Sequence, residues 1–218
     1  AGDIYGIIGY SGAGKSTLIK ILSGVHEHSS GELLIDGEAR RLTAPRQALL
    51  AGIATVHQDL AMVPLMPVWR NFFLGAELVG PLGLLRTREM KRVAVQELAC
   101  MGINLRDPDQ PAGTLSGGER QSVTIARAIH RGARVLILDE PTAALGVKQA
   151  GLVLDNIRAA RKRGIGVVFI THNPQHAMQV GDRFLVLNRG RSVGEYARGE
   201  ITVERLTELM AGGVTASE

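Results

Sequence analysis

The sequence predicts an α/β fold: a mostly parallel sheet with helices on both faces, interrupted by one helical insertion. Three observations carry this. An apolar run over residues 4–8 ends in a glycine-rich loop and opens into a helix. In the C-terminal half, short apolar runs alternate with helix-spaced segments. Between residues 59 and 131 the strand-like runs stop and long helical patterns take over.

In order, the run at 4–8 reads as a buried parallel strand. Leu18, Ile19 and Leu22 then share one face of a helix over 15–22. A strand lies within 31–37, bounded by glycine turns, and a helix over 45–50 carries Pro45 near its start. The first half closes on a strand at 53–57. Pro64, Pro67 and Gly75 break the next stretch, which leads to helices at 88–101 and 117–130. Beyond it come strand 135–138, helix 148–161, strand 167–170, helix 174–180 and strand 184–187. The last element is a helix over 202–210 with Thr202 as N-cap. The organisation expected is one domain over 1–218, with an α/β core at 1–58 and 132–218 and a helical subdomain at 59–131.

Composition narrows the class. A chain of 218 residues, 45% hydrophobic and 21% charged, suits one globular domain. With 4% aromatics the core must be aliphatic. The net charge of +4 raises the question of nucleic acid or an anionic surface. The 25 basic residues are spread along the chain, however. Their densest cluster, 158–163, ends a predicted helix, where it forms a solvated face that complements the dipole, so no nucleic-acid partner is expected. The single cysteine, Cys100, excludes an intrachain disulfide and a cysteine zinc site, suits a reducing compartment, and is expected as a small buried hydrophobe. No apolar run reaches the roughly 18 residues that span a bilayer. The sequence starts without Met and runs almost directly into a strand, so a preceding N-terminal piece is expected.

The strongest motif is Gly9-Tyr10-Ser11-Gly12-Ala13-Gly14-Lys15-Ser16, followed by Thr17. It matches G-x-x-x-x-G-K-S/T in the required strand–loop–helix context. Small residues let the backbone wrap phosphates, successive N–H groups form an anion nest, and the helix adds its positive end. Lys15 is then placed to reach the β- and γ-phosphates of a nucleotide, and the Ser16 hydroxyl to bind Mg²⁺. A second site follows from Val135-Leu136-Ile137-Leu138-Asp139-Glu140, an apolar strand ending in two acids. In open α/β sheets chemistry gathers at the carboxyl ends of strands. Asp139 is expected to hold Mg²⁺, and Glu140 to orient or deprotonate the attacking water.

Leu115-Ser116-Gly117-Gly118-Glu119-Arg120-Gln121 offers a second anion site, with Ser116 as cap and two glycines exposing N–H groups. It resembles the signature motif of ATP-binding cassette proteins, which implies a phosphate-loop NTPase core of the RecA-like type. The resemblance covers essentially the whole chain. It implies a head-to-tail dimer in which Ser116, Gly117, Gly118 and Glu119 of one cassette cover the γ-phosphate held by the other. It implies that Gln58, at the end of strand 53–57, contacts Mg²⁺ and the attacking water, and that His172, after strand 167–170, contacts the γ-phosphate. Gly146 stands where the family has an aspartate, and Glu119 where glutamine is commoner. The family's adenine-stacking aromatic lies on an N-terminal β segment that this sequence lacks; Tyr5 is on a different strand.

Within the family the chain is most similar to the ATP-binding subunits of bacterial importers of the ribose, xylose and fructose type, notably at Thr142-Ala143-Ala144-Leu145-Gly146-Val147-Lys148-Gln149. One phosphate loop implies a homodimer. The same resemblance implies membrane permease subunits, a solute-binding protein acting through them, and a peripheral position on the cytoplasmic face of the membrane. It places the permease contact after Gln58, where Met62, Val63, Leu65, Met66, Trp69, Phe72 and Phe73 form either a docking groove or the insertion's own core. The alternative function is a cassette ATPase outside transport. DNA-repair and chromosome relatives carry long coiled coils or zinc modules, for which the interval 58–115 is too short and one cysteine too few. Translation factors usually hold two cassettes per chain. A GTPase would need an Asn-Lys-x-Asp motif, which is absent.

Overall fold

The apolar runs pair into one sheet because each is buried on both faces and finds its hydrogen-bond partners in its neighbours. The computed structural model describes residues 2–212, so Ala1 and residues 213–218 of the expected domain lie outside it. The elements are β1 (Ile4–Ile8), α1 (Lys15–Leu22), β2 (Leu33–Ile35), β3 (Glu38–Arg40), α2 (Pro45–Leu50), β4 (Ile53–Val56), α3 (Val68–Phe73) and α4 (Thr87–Cys100). They continue with α5 (Gly117–His130), β5 (Val135–Asp139), α6 (Val147–Lys162), β6 (Gly166–Thr171), α7 (Pro174–Val180), β7 (Arg183–Asn188), β8 (Arg191–Ala197) and α8 (Val203–Met210). The main sheet runs β4-β5-β6-β1-β7-β8, parallel except for β8, which returns antiparallel on β7. The carboxyl ends of β4, β5, β6 and β1 therefore lie side by side.

Each sheet face buries its own apolar cluster. On one face Ile8, Val56, Leu138, Phe169 and Val186 pack with α3–α8, and on the other Ile7, Ile137 and Ile170 pack with α1 and α2. The helical stretch shares the first of these clusters, through Phe72, Met90, Leu98 and Ile125, which fixes it against the sheet.

Three elements escaped the sequence reading. Strand β3 is Glu-Ala-Arg, fully exposed, and pairs only with β2 in a separate two-stranded sheet, so it carries no burial pattern. Strand β8 is a half-exposed edge strand with Gly194 inside it. Helix α3 is six residues long and starts straight after Pro67, too short for its period to show.

Cys100 corrects an expectation. It is exposed, because α4 buries the face of Met90, Ala94 and Leu98, and the helix's last turn rotates Cys100 off it. The basic cluster is also less free than a solvated face: Arg158 pairs with Asp155, Arg161 with Asp182 and Arg163 with Glu97. The apolar segment after Gln58 divides. Trp69, Phe72 and Phe73 are core, whereas Leu65 is 88% exposed and Val63 42%.

Asn71 braces this segment. Fully buried on α3, it accepts from the Val63 N–H (2.8 Å) and donates to the carbonyls of Val63 and Met66 (each 3.0 Å). Asn71→Ala strands these backbone groups away from water and is expected to cost about 3 kcal/mol. A urea titration checks this: the midpoint falls while the slope stays constant.

Candidate nucleotide-binding site

The phosphate loop leaves β1 through Gly9. A Cβ there would lie 2.6 Å from the Leu187 carbonyl oxygen and 2.8 Å from the Ala13 Cβ, so glycine alone lets the loop pass β7. Gly14 caps α1 at φ 101°, a left-handed conformation open to glycine. The turn between β7 and β8 closes over the loop by a bond from the Gly190 N–H to the Ala13 carbonyl (3.0 Å). Ser16 and Thr17 then lie in the first turn of α1, where backbone N–H groups are unpaired.

These residues line one cleft of about 630 Å³. Residues 10–17 form one wall, and Gln58, Asp139, Glu140, Ala143 and His172 the other. Strand order explains the convergence, since β4, β5, β6 and β1 deliver Gln58, Asp139–Glu140, His172 and the loop from adjacent strand ends. Lys15 folds back, its Nζ donating to the carbonyls of Gly9 (2.6 Å) and Tyr10 (3.1 Å), and lies 3.9 Å from Glu140 Oε1.

Glu140 is tightly held. Its Oε2 lies 2.9 Å from His172 Nδ1 and accepts from the Thr171 hydroxyl at 3.2 Å. The same hydroxyl accepts from the Asn173 N–H (3.0 Å). The Glu140 backbone sits at φ 48°, rare for a residue with a side chain, and Ala144 follows at φ 57°. Beside it, burial holds the Asp139 carboxyl above the ordinary carboxylate value. His57, 4.0 Å away, opposes that rise; Glu140 adds to it and Lys15 opposes it again. The Ser16 hydroxyl, the Gln58 amide and the Asp139 carboxylate present oxygen donors to the same cleft, a set that fits a hard cation such as Mg²⁺.

The signature residues do not join this cleft. Ser116 caps α5 in a capping box: its hydroxyl accepts from the Glu119 N–H (3.3 Å), and the Glu119 carboxylate accepts from the Ser116 N–H (2.7 Å). Ser116, Gly117, Gly118 and Glu119 thus form an anion-ready helix end that lies outside their own chain's cleft lining. Tyr5 is also elsewhere; burial and then its hydrogen bond with Glu195 push its hydroxyl up to about 12. Gly146 is the N-cap of α6 and supplies no side-chain cap.

Sequence reasoning missed Thr171 and the pair His176–Thr142, whose Nδ1 and Oγ1 lie 3.0 Å apart. A lone threonine ending an apolar strand carries no signal beyond its place before His172. Burial, followed by repulsion from His172, holds the His176 pKa below its ordinary 6.5. The unfolded chain therefore binds that proton first, and stability falls as pH drops through about 6.5 toward the lower folded value. His176→Gln keeps a partner for Thr142 and is expected to flatten this acid-side loss in melts taken across pH 5–7.5.

The comparisons with known proteins follow the same lines. The family model described as ABC transporter matches residues 1–143. The xylose/arabinose import ATP-binding protein of Sulfolobus acidocaldarius is 39% identical over 96% of this chain and 83% of its own length. The ribose import ATP-binding protein of Chromobacterium violaceum is 40% identical over 97% of this chain, which spans 42% of that relative's length. Among solved structures, a dimeric bacterial ABC transporter cassette is 26% identical, with a TM-score of 0.75, covering 92% of this chain and 87% of that one. The ADP conformation of another ATP-binding cassette shares the fold at 23% identity and a TM-score of 0.79, covering 96% and 84% of the two chains. With a phosphate loop, an Asp–Glu strand end and a capped signature helix on one phosphate-loop sheet, this chain belongs to the ABC transporter family, as an ATP-hydrolysing cassette.

Proposed function

We propose that the chain is the ATP-hydrolysing subunit of a sugar importer, working as a pair of cassettes beneath membrane permease subunits that receive sugar from a solute-binding protein. The observation that carries this is Glu140, held by His172 and Thr171 at the mouth of a phosphate-loop cleft, in a chain similar to named xylose/arabinose and ribose import ATP-binding proteins. The triphosphate enters the nest of residues 9–17, and Lys15 exchanges two backbone carbonyls for β- and γ-phosphate oxygens. Glu140 takes a proton from the water whose oxygen attacks the γ-phosphorus, and ADP leaves. His172 and Thr171 keep that carboxylate aimed. Ser16, Asp139 and Gln58 would hold Mg²⁺, which when bound neutralises charge on the phosphate oxygens. Ser116, Gly117, Gly118 and Glu119 of the second cassette close the site from the other side, the Ser116 hydroxyl and the N–H groups of Gly117 and Gly118 turned to the γ-phosphate.

The permease contact falls in a groove of about 540 Å³ between β4 and α5. Ala54, Val56, Phe73, Leu78 and Ala128 give it an apolar floor, with Arg127 and Arg131 at the side. That shape suits a short amphipathic helix of a partner. No helix among the described residues is long and apolar enough to cross a membrane. Tagged chain extracted from membranes in mild detergent is expected to bring down a multi-span permease, with ATPase activity raised by a sugar-loaded binding protein. Recovery with DNA or ribosomes instead would assign the chain to the alternative outside transport.

A further inference from the structure

Helix α5 carries the signature at its N-terminus, and α6 begins just after the loop that follows Glu140. The two helices touch without a spacer at Gly118, where a Cβ would lie 2.9 Å from the Gln149 carbonyl oxygen, and Gly117 meets the loop before α6, where a Cβ would lie 2.7 Å from Leu145 Cδ2. Four residues along, the contact carries two buried polar side chains. Asn156, 2% exposed on α6, donates its amide to the hydroxyl of Ser122, which is fully buried on α5. Ser122 in turn donates to the Gly118 carbonyl (2.7 Å). The peptide that begins at that carbonyl ends in the Glu119 N–H, which donates to the Ser116 hydroxyl.

We propose that Asn156 and Ser122 are positioning residues for ATP hydrolysis: they set and polarise the Gly118–Glu119 peptide and so the Ser116 hydroxyl. A chain of hydrogen bonds running one way strengthens each member. Here it runs from the Asn156 amide through Ser122 and the Gly118–Glu119 peptide to Ser116, whose oxygen accepts and whose hydrogen is left to donate to an anion. The relay also ties the signature end of α5 to the helix that continues the Glu140 loop. A move of that loop in one chain then shifts the anion cap that the same chain offers outward. Gly146, with no side chain, cannot make that link itself. The inference rests on the reading that the signature closes over a partner's nucleotide.

Two shape-conserving changes separate positioning from packing. Ser122→Ala alone leaves the Asn156 amide buried without a partner and lowers the melting temperature. Ser122→Ala combined with Asn156→Leu removes both polar groups together, which is close to neutral for stability. The double variant is expected to melt within about two degrees of the wild type. Its affinity for ATP at the phosphate loop, by calorimetry, should be unchanged, and its kcat about tenfold lower. A double variant whose kcat recovers along with its melting temperature would show that the pair only packs two helices, overturning the proposal. The wild-type rate serves as control and should rise more than linearly with protein concentration. A linear dependence would overturn the two-chain reading and the relay with it. A steeper dependence with unchanged kcat in the double variant would overturn the relay alone.

Discussion

Glu140→Gln is expected to lower ATP turnover about a thousandfold while leaving nucleotide affinity within about twofold. The side chain keeps its shape, so Thr171 retains an acceptor. What is lost is the carboxylate proposed to take the proton of the attacking water, and the charge that pairs with His172 at 2.9 Å. Binding depends on the opposite wall, residues 10–17, where the substitution reaches only Lys15, 3.9 Å from Glu140 and held by the carbonyls of Gly9 and Tyr10. Single-turnover hydrolysis measured beside equilibrium binding of a fluorescent ATP analogue separates the two effects. Turnover near the wild-type rate would remove Glu140 from the chemistry and leave His172 and Thr171 holding a structural acid.

The second large effect falls on affinity. Lys15→Ala is expected to weaken ATP binding at least about a hundredfold, or about 3 kcal/mol. Lys15 Nζ donates to the carbonyls of Gly9 and Tyr10, so its charge is positioned at the loop and needs only a small excursion to meet phosphate oxygens. Alanine removes that cation and leaves the backbone nest to hold the triphosphate alone. Calorimetric titration reads the change directly, and an affinity within a factor of three of the wild type would show that Lys15 is not a phosphate ligand.

The sheet was legible in the sequence because parallel strands buried on both faces leave unbroken apolar runs, as at Ile4–Ile8 and Val135–Asp139. Helices α1, α2, α5 and α7 fell on the expected residues, since Pro45, Ser116 and Pro174 mark their starts and glycine marks the start of α1. What failed lacked a buried face to leave a pattern: β3 is wholly exposed and β8 lies at the edge. Cys100 failed because residue type alone stood in for helix phase. In the cleft, the expected wall residues were readable as motifs, and Gln58, Asp139, Glu140 and His172 do meet the phosphate loop in one cavity. Thr171, Thr142 and His176 were not readable, because their partners come from across the fold and each alone is an ordinary residue.

The signature presents the sharper lesson. Its residues start α5 in a complete capping box, with Gly118 crowded by α6 and Gly117 by Leu145, yet they line no part of their own cleft. An anion site apart from the chain's own phosphate loop makes sense when a second chain brings the phosphate to it, the arrangement of two-fold assemblies. The determination that bears most directly on this is the structure of Glu140→Gln crystallised with ATP and Mg²⁺. The account expects a two-fold pair in which each triphosphate lies on one chain's Gly14–Lys15 turn and its γ-phosphate accepts hydrogen bonds from Ser116 and the N–H groups of Gly117 and Gly118 in the other. A nucleotide bound away from Lys15, or a Ser116 left facing solvent with the triphosphate fully held by one chain, would contradict it.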